Sequence, residues 1–273
     1  MPYYATTDNT KLYYEIEGKG QPVVFVHGWS CSHESFTEIV KTMKDNYCCI
    51  SYSHRGHGAS DLAEGGYTIP QLALDLNELI NYLDLKDIIL VGHSMGGYTA
   101  YEYIKQFGCK NIKKLIVLDM SPKVTCDDQW KYGAFGTYDN QCMEQDLGII
   151  SQDVTKFMWK FWKLVLPDFA ALPEEMELLV APGLKGFNHA LPLLGLWHAM
   201  FTSDYRNVIP SISVPMAYII PETPIYPMGA ANYVKEHAGN TVEIIEAPGC
   251  THMSLTEKPL ETAQDIMAFI EGK

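Results

Sequence analysis

The chain has 273 residues, of which 47% are hydrophobic and 19% are charged, and its formal net charge at pH 7 is −13. This length suits one folded core with room for an inserted subdomain. The negative charge opposes binding to the phosphates of nucleic acids and to anionic membranes, so we expect neither as a partner.

The N-terminal stretch MPYYATTDNTKLYY has no basic segment followed by an apolar one, so we do not predict a signal peptide. No apolar run reaches the roughly 18–20 residues that span a bilayer. The seven cysteines are scattered, and none forms a C-x-x-C pair for zinc or dithiol chemistry. These features predict a reducing, cytoplasmic setting and no metal site.

Strands and helices alternate along the first part of the chain. Three strands are predicted at the start (YYATT, KLYYEIE and PVVFVH), followed by a helix over residues 36–43, the strand YCCISYS and the polar turn HRGHGASD. Apolar residues at helical spacing predict a helix over residues 70–83, and then come a strand over 88–91, a helix after Ser94 and the strand KLIVLDM. This alternation predicts an α/β fold, with a mostly parallel, twisted sheet and helices on both of its faces.

The alternation stops at Pro122. The stretch that follows contains no clear strand and is dense in aromatic residues and methionines, and it is too long for a structureless loop. We therefore predict a helical cap (lid) at residues 122–210, inserted into a core of residues 1–121 and 211–273. The core resumes with the strand VPMAYII, a helix near residues 228–238, the strand TVEIIEA and a final helix with Leu260, Ala263, Met267 and Ile270 on one face.

The segment ILVGHSMGGYTAYEY places a serine between glycines at a predicted strand-to-helix junction. A serine hydroxyl is a weak nucleophile until a neighbouring base removes its proton. A G-x-S-x-G turn lifts such a serine above the sheet, where a base can reach it. Ser94 is therefore a candidate nucleophile, with Gly92 and Gly96 as the small residues that the turn requires. The alternative interpretation is a tight turn that happens to contain serine.

A base for Ser94 must be a histidine that the fold brings close to it. His252 lies in the loop APGCTHMSL after the last predicted strand, at the carboxyl edge of the sheet, where open α/β folds bind ligands. Other histidines lie at a strand end (His27), in the HRGHG turn, beside the candidate nucleophile (His93), in the predicted cap and on an exposed helix. We therefore predict His252 as the general base.

Four motifs in chain order, FVHGWSCS, SHRGHGAS, VGHSMGG and PGCTHM, resemble those of the α/β-hydrolase superfamily, and in particular its capped esterase and cofactor-free haloperoxidase branch. The resemblance covers nearly everything outside residues 122–210 and implies a Ser–His–acid triad that needs no cofactor. It also implies an oxyanion hole of two backbone N–H groups. By position these belong to Met95, after the nucleophile, and to Trp29, after the structural glycine Gly28. Such donors stabilise the negative oxygen of a tetrahedral intermediate.

The sequence departs from the superfamily at the acid. Most members follow the seventh strand with a loop that carries an aspartate, whereas this chain has YIIPETPIYP, which contains none. Two carboxylates are candidates: Asp119 at the end of the sixth strand, which some members use, and Glu222 directly after the seventh. The missing aspartate favours Asp119, with Glu222 as the alternative. Either would orient His252 and stabilise its imidazolium form.

The resemblance implies a serine hydrolase that cleaves a small, largely apolar carboxylic ester, thioester or lactone through an acyl-enzyme. The same residues support perhydrolysis, in which peroxide replaces water, and hydrolysis of carbon–carbon bonds. A different class of function is a small-molecule receptor on a hydrolase scaffold, against which the intact Ser94 and His252 argue. The expected partner is a small ester-type molecule, and a homo-oligomer is compatible with the sequence.

Overall fold

A computed structural model describes residues 3–173, 176 and 189–273 of the chain. Eight strands form one sheet in the order β1-β2-β4-β3-β5-β6-β7-β8. The strands are β1 (Tyr3–Ala5), β2 (Lys11–Glu17), β3 (Gln21–Val26), β4 (Tyr47–Tyr52), β5 (Ile88–His93), β6 (Ile112–Leu118), β7 (Met216–Thr223) and β8 (Val242–Thr251). Strand β2 runs antiparallel to both β1 and β4. The remaining neighbours in the sheet, β4-β3-β5-β6-β7-β8, all pair in parallel. The predicted mostly parallel sheet is confirmed.

Helices cover both faces of this sheet. The helices of the described residues are α1 (Thr37–Met43), α2 (Ile69–Tyr82), α3 (Met95–Phe107), α4 (Asn140–Gln152), α5 (Val154–Val165), α6 (Pro167–Ala170), α7 (Ala190–Thr202), α8 (Met228–His237), α9 (Ser254–Glu257) and α10 (Pro259–Glu271). No helix of the described ranges has the length and apolar character needed to cross a membrane.

The central strand β3 shows why two layers of helices are needed. Successive side chains of a strand point to opposite faces of the sheet. Val23 and Phe25 therefore pack into the apolar cluster that contains α1 and α10, and Val24 and Val26 into the cluster that contains α2, α3 and α8. All four side chains are fully buried, as the continuous apolar run predicts.

The last helix differs in one detail from its predicted apolar face. Leu260 is 58% exposed, whereas the buried residues of α10 are Thr262, Ala263, Ile266 and Phe269. Ala263 is buried as predicted, and Met267 and Ile270 are partly buried against the same apolar cluster. Only Leu260 falls outside the packed face, which Ile266 and Phe269 complete.

Helices α4 to α7 lie between β6 and β7, in the segment predicted as a cap, and α4 packs against α5 and α7. The two ends of this segment lie side by side, since the Tyr205 N–H donates to the Pro122 carbonyl oxygen at 2.8 Å. Residues 174–175 and 177–188 of the predicted cap lie outside the described residues. The division of the chain into core and cap stays a prediction, which the helical character of the described part supports.

Candidate active site

Ser94 occupies the tight turn between β5 and α3, with φ 52° and ψ −121°. A positive φ is rare for a residue with a side chain, and such strain is typical of functional turns. The neighbouring glycines make the turn possible. A Cβ atom on Gly92 would lie 2.5 Å from the carbonyl oxygen of Gly96, and one on Gly96 would overlap the carbonyl oxygen of Val26. The local geometry therefore requires the two glycines of the pattern around Ser94.

His252 directly follows β8, and its Nδ1 lies 2.8 Å from Oδ2 of Asp119. Both residues are buried, with 4% and 1% of their surface exposed. Because an ionised carboxylate can only accept hydrogen bonds, Nδ1 carries the proton and Nε2 is left as an acceptor. Oδ2 of Asp119 also accepts a hydrogen bond from the backbone N–H of Ile225 at 3.0 Å, which fixes the position of the carboxylate. This arrangement leaves His252 able to accept a proton at Nε2.

The other candidate acid, Glu222, lies near the end of β7 and is exposed. Its Oε2 accepts a hydrogen bond from the backbone N–H of Gly249 at 2.6 Å, three residues before His252. The structure therefore brings Asp119, rather than Glu222, to the imidazole of His252. Glu222 instead accepts from the backbone of β8 near the end of this strand, just before the histidine.

The two candidate oxyanion donors belong to the residue after Ser94 and to a loop that approaches Ser94 closely. Met95 is the first residue of α3, so its backbone N–H has no acceptor within the helix and lies at the positive end of the helix dipole. Trp29 follows Gly28, and a Cβ atom on Gly28 would lie only 3.1 Å from Cβ of Ser94. This close approach places the loop of Trp29 against the serine.

His93 has a structural contact that sequence reasoning did not find. Its Nε2 donates a hydrogen bond to the backbone carbonyl oxygen of His252 at 2.8 Å. Burial, and then the neighbouring His252, lowers the pKa of His93 to about 3, so its imidazole is neutral and carries its proton on Nε2. His93 therefore holds the backbone of His252 in place from the residue next to Ser94. The only feature of the sequence that pointed to a role for His93 was its position next to Ser94 in the turn.

His27 plays a similar part on the other side of the site. Its Nδ1 donates to the carbonyl oxygen of Gly28 at 2.7 Å, and its Nε2 accepts from the backbone N–H of His54 at 2.9 Å. Burial, and then the neighbouring His54 and His57, holds the pKa of His27 well below its ordinary value, so this pattern of one donor and one acceptor is kept. His27 thus ties the loop of Trp29 to the SHRGHGAS turn.

That turn is anchored to α2 by a buried ion pair. The guanidinium of Arg55 donates two hydrogen bonds to the carboxylate of Asp75, each 2.7 Å long, and both side chains are almost fully buried. Two parallel bonds fix the orientation of the pair as well as its distance.

Ser94 lies where two cavities meet. The first is a cleft that also contains His252, and Ser94 Oγ and His252 Nε2 make no direct hydrogen bond in the described part of the chain. Such contacts are often long in a site without substrate and shorten when it binds. Its lining residues are Gly28, Trp29, Ser30, Cys31, His93, Ser94, Phe161, Trp162, Val165, His252 and Met253.

The second cavity extends from Ser94 into the segment between β6 and β7 and is mainly apolar and aromatic. The space open to the centres of water molecules is only about 40 Å³, which admits small groups. Its lining residues are Trp29, Ser94, Ala134, Phe135, Tyr138, Asp146, Phe161, Leu164, Trp197, Met200, Phe201, Ile225 and Tyr226.

Comparisons with known proteins agree with this architecture. The model of the alpha/beta hydrolase family matches residues 23–265. A non-heme chloroperoxidase of Kitasatospora aureofaciens is 37% identical over 125 residues, which are 45% of this chain and 46% of that protein. The chain therefore matches about half the length of such curated relatives.

Two solved structures resemble the chain over almost its whole length. An esterase from Exiguobacterium antarcticum has a TM-score of 0.85 and 25% identity, and the alignment covers 98% of each chain. A bromoperoxidase from Bacillus anthracis has a TM-score of 0.83 and 25% identity, with 96% of each chain covered.

Proposed function

This chain belongs to the alpha/beta hydrolase family, and we propose that it is a serine hydrolase that cleaves a small, largely apolar carboxylic ester, thioester or lactone. The observation that carries the proposal is the 2.8 Å contact between His252 Nδ1 and Asp119 Oδ2 beside the strained turn of Ser94. A buried histidine that is oriented by a carboxylate and faces a serine is the arrangement that activates a hydroxyl group.

In the proposed mechanism, Ser94 Oγ attacks the substrate carbonyl carbon while His252 Nε2 takes the hydroxyl proton. The carbonyl oxygen becomes negative and accepts hydrogen bonds from the N–H groups of Trp29 and Met95. His252 then gives its proton to the leaving alcohol, and an ester between Ser94 and the acyl group remains. Water, deprotonated by the same histidine, hydrolyses this ester and restores the serine.

Asp119 is the proposed acid of this triad. It stabilises the imidazolium that His252 becomes in each step, without itself taking the proton. The proposal gives Glu222 a structural part only, because its carboxylate is engaged by the backbone of Gly249.

A second candidate activity is perhydrolysis, in which hydrogen peroxide replaces water on the acyl-enzyme and a peroxyacid is released. The observation that favours it is the occurrence of chloroperoxidases and a bromoperoxidase among the similar proteins. It needs the same serine and histidine, so it adds to the hydrolase proposal. The seven free cysteines are consistent with a cytoplasmic setting, which remains part of the proposal.

Labelling with a fluorophosphonate tests the proposal directly. We expect one adduct, located by mass spectrometry on Ser94, and parallel loss of p-nitrophenyl acetate hydrolysis. Ser94→Ala should remove both, with a loss of turnover on the order of a millionfold. Ser151 is exposed and lies on α4, so Ser151→Ala is the matched control and should retain both. Near-normal turnover by a folded Ser94→Ala protein would show that the proposed nucleophile is wrong. Tight ester binding without turnover in the wild type would instead indicate a receptor.

A further inference from the structure

The apolar cavity beside Ser94 is not apolar throughout. Among its lining residues is Asp146 of α4, whose side chain is buried, with 6% of the residue exposed. A charged group in such a place is unfavourable unless hydrogen bonds compensate for the water that it has lost. The hydrogen-bond partners of Asp146 therefore determine which of its acceptor positions remain free for a ligand.

Asp146 has two protein partners. The phenol of Tyr138 donates to Oδ2 at 2.6 Å, and the ammonium group of Lys160 donates to Oδ1 at 2.7 Å from the solvent side. Burial and the neighbouring carboxylate raise the pKa of Tyr138, so its phenol stays protonated and keeps donating. Since a carboxylate offers about four lone-pair positions, Asp146 retains the capacity to accept another hydrogen bond.

The indole of Trp197 supplies the complementary group. Trp197 lines the same cavity and lies beside the phenol of Tyr138, with the two ring centroids 6.5 Å apart. Its residue is 3% exposed, and its Nε1–H makes no hydrogen bond of normal geometry among the described residues. The neighbouring polar group is the phenol of Tyr138, whose pKa the nearby indole N–H lowers in opposition to burial. By contrast, Trp130 donates its Nε1–H to the carbonyl oxygen of Lys123 at 2.9 Å. A buried donor that lacks a hydrogen bond of good geometry is unfavourable, so a ligand hydroxyl group can compete with Tyr138 for the indole N–H of Trp197.

We propose that Asp146 and Trp197 form a recognition site for a hydroxyl group on the acyl part of the substrate, remote from the ester carbonyl. A hydroxyl group can accept a hydrogen bond from the indole and donate one to the carboxylate at the same time. The proposal rests on the proposed hydrolase function, in which the apolar cavity holds the acyl group. The substrate class is therefore an ester of a compact, mainly apolar hydroxy acid.

Other acyl groups match this end of the cavity less well. An acyl group that ends in a methyl group leaves the Trp197 N–H unpaired, and one that ends in a carboxylate is repelled by Asp146. The two types of acyl group that test the proposal, a chain and a ring, would both lie against the aromatic wall of the cavity. The wall includes Trp29, Phe161 and Phe201.

Matched pairs of p-nitrophenyl esters, in which a hydroxyl group replaces a methyl group, test this directly. The pairs are 4-hydroxyphenylacetate against 4-methylphenylacetate and 6-hydroxyhexanoate against heptanoate. An apolar cavity end prefers the methyl member, because burying a methyl group is favourable. We expect the reverse in at least one pair, with kcat/KM higher for the hydroxyl member by about ten-fold, as a hydrogen bond to a charged group predicts.

Two variants assign the effect to the residues. Trp197→Phe and Asp146→Asn should each lower the hydroxyl-to-methyl ratio of kcat/KM several-fold. Trp130→Phe makes the same chemical change away from the cavity and should leave the ratio unaltered. A wild-type preference for the methyl member in both pairs overturns the proposal, as does a ratio that neither cavity variant changes. Absence of p-nitrophenyl acetate hydrolysis by the wild type would instead contradict the proposed hydrolase function.

Discussion

Asp119→Asn should lower kcat/KM for p-nitrophenyl acetate by up to about 10⁴-fold, which corresponds to about 5.4 kcal/mol of transition-state stabilisation. The structure explains why asparagine cannot replace this residue. Oδ2 of Asp119 accepts hydrogen bonds from both His252 Nδ1 and the Ile225 N–H, at 2.8 and 3.0 Å. Oδ1 is buried and has no partner among the described residues.

An asparagine at position 119 has two orientations, and both are unfavourable. With its oxygen toward His252, the two bonds remain, but the negative charge that stabilises the imidazolium is lost and the amide NH₂ is buried without an acceptor. With its NH₂ toward His252, it opposes the Ile225 N–H and forces the proton of the imidazole onto Nε2, where it blocks catalysis. The unsatisfied group should also lower the free energy of unfolding by about 1–3 kcal/mol.

The matched control is Glu222→Gln. Its amide oxygen can still accept the hydrogen bond from the Gly249 N–H, which is 2.6 Å from the carboxylate in the native protein. We therefore expect only a few-fold loss of kcat/KM. Both variants should be compared by steady-state kinetics, with circular dichroism and urea titration to establish that each is folded. A greater loss for Glu222→Gln than for Asp119→Asn, with both proteins folded, would refute the assignment of the acid.

Three further predictions concern the cavity, the turn and pH. For a series of p-nitrophenyl esters, kcat/KM should rise with acyl length, because each buried methylene adds roughly 0.8 kcal/mol of binding free energy, and should fall once the cavity is full. A series that is flat from acetate to long chains would contradict an enclosed pocket. Gly96→Ala should destabilise the fold by about 1–3 kcal/mol or more in urea titration, because its Cβ would overlap a backbone carbonyl of β3, while Gly148→Ala on α4, with nothing within 4 Å, should be neutral or stabilising. Burial lowers the pKa of His57 to about 4 and of His93 to about 3 from 6.5, so the unfolded chain binds protons that the folded chain does not. The free energy of unfolding should therefore fall as the pH is lowered below 6.5, and by pH 5 each of the two histidines should have cost about 2 kcal/mol. A urea midpoint that is the same at pH 7.5 and pH 5 would contradict this prediction.

The features that depend on local sequence were predictable. The alternation of strands and helices predicted the sheet, because each element carries its own hydrophobic period. Ser94 could be placed in its turn because the glycine–serine–glycine pattern is itself local. Gly92 is constrained by the backbone of Gly96, four residues further on, although Gly96 is constrained by Val26 of β3. The structure places the serine between β5 and α3, at the predicted junction.

The features that depend on distant contacts were not predictable in the same way. Asp119 and Glu222 both lie near strand ends at one edge of the sheet, so their spacing along the chain left the choice open. Only the tertiary path shows that Glu222 contacts Gly249 and that Asp119 contacts His252. The contact of His93 with a carbonyl oxygen 159 residues away likewise has no sequence signal.

The same limit applies to the aromatic segment between β6 and β7. Its composition predicted a covering layer of helices but could not distinguish Trp130, whose indole is hydrogen-bonded, from Trp197, whose indole is not. Tertiary packing determines whether a buried indole N–H meets an acceptor, and the local sequence does not specify that packing.

The adjacent ends of that segment, joined by the hydrogen bond from Tyr205 to Pro122, have an evolutionary consequence. Since the chain leaves and re-enters the sheet at neighbouring points, the pairing of β6 with β7 places no demand on the length of what lies between them. Closing a longer loop costs little, about 0.6 kcal/mol for each doubling of its length. Much of the apolar cavity wall belongs to this one contiguous stretch, whereas Ser94, Asp119 and His252 lie outside it. Recombination at two adjacent points could therefore exchange the specificity of such a protein in one event and leave its reactive residues untouched.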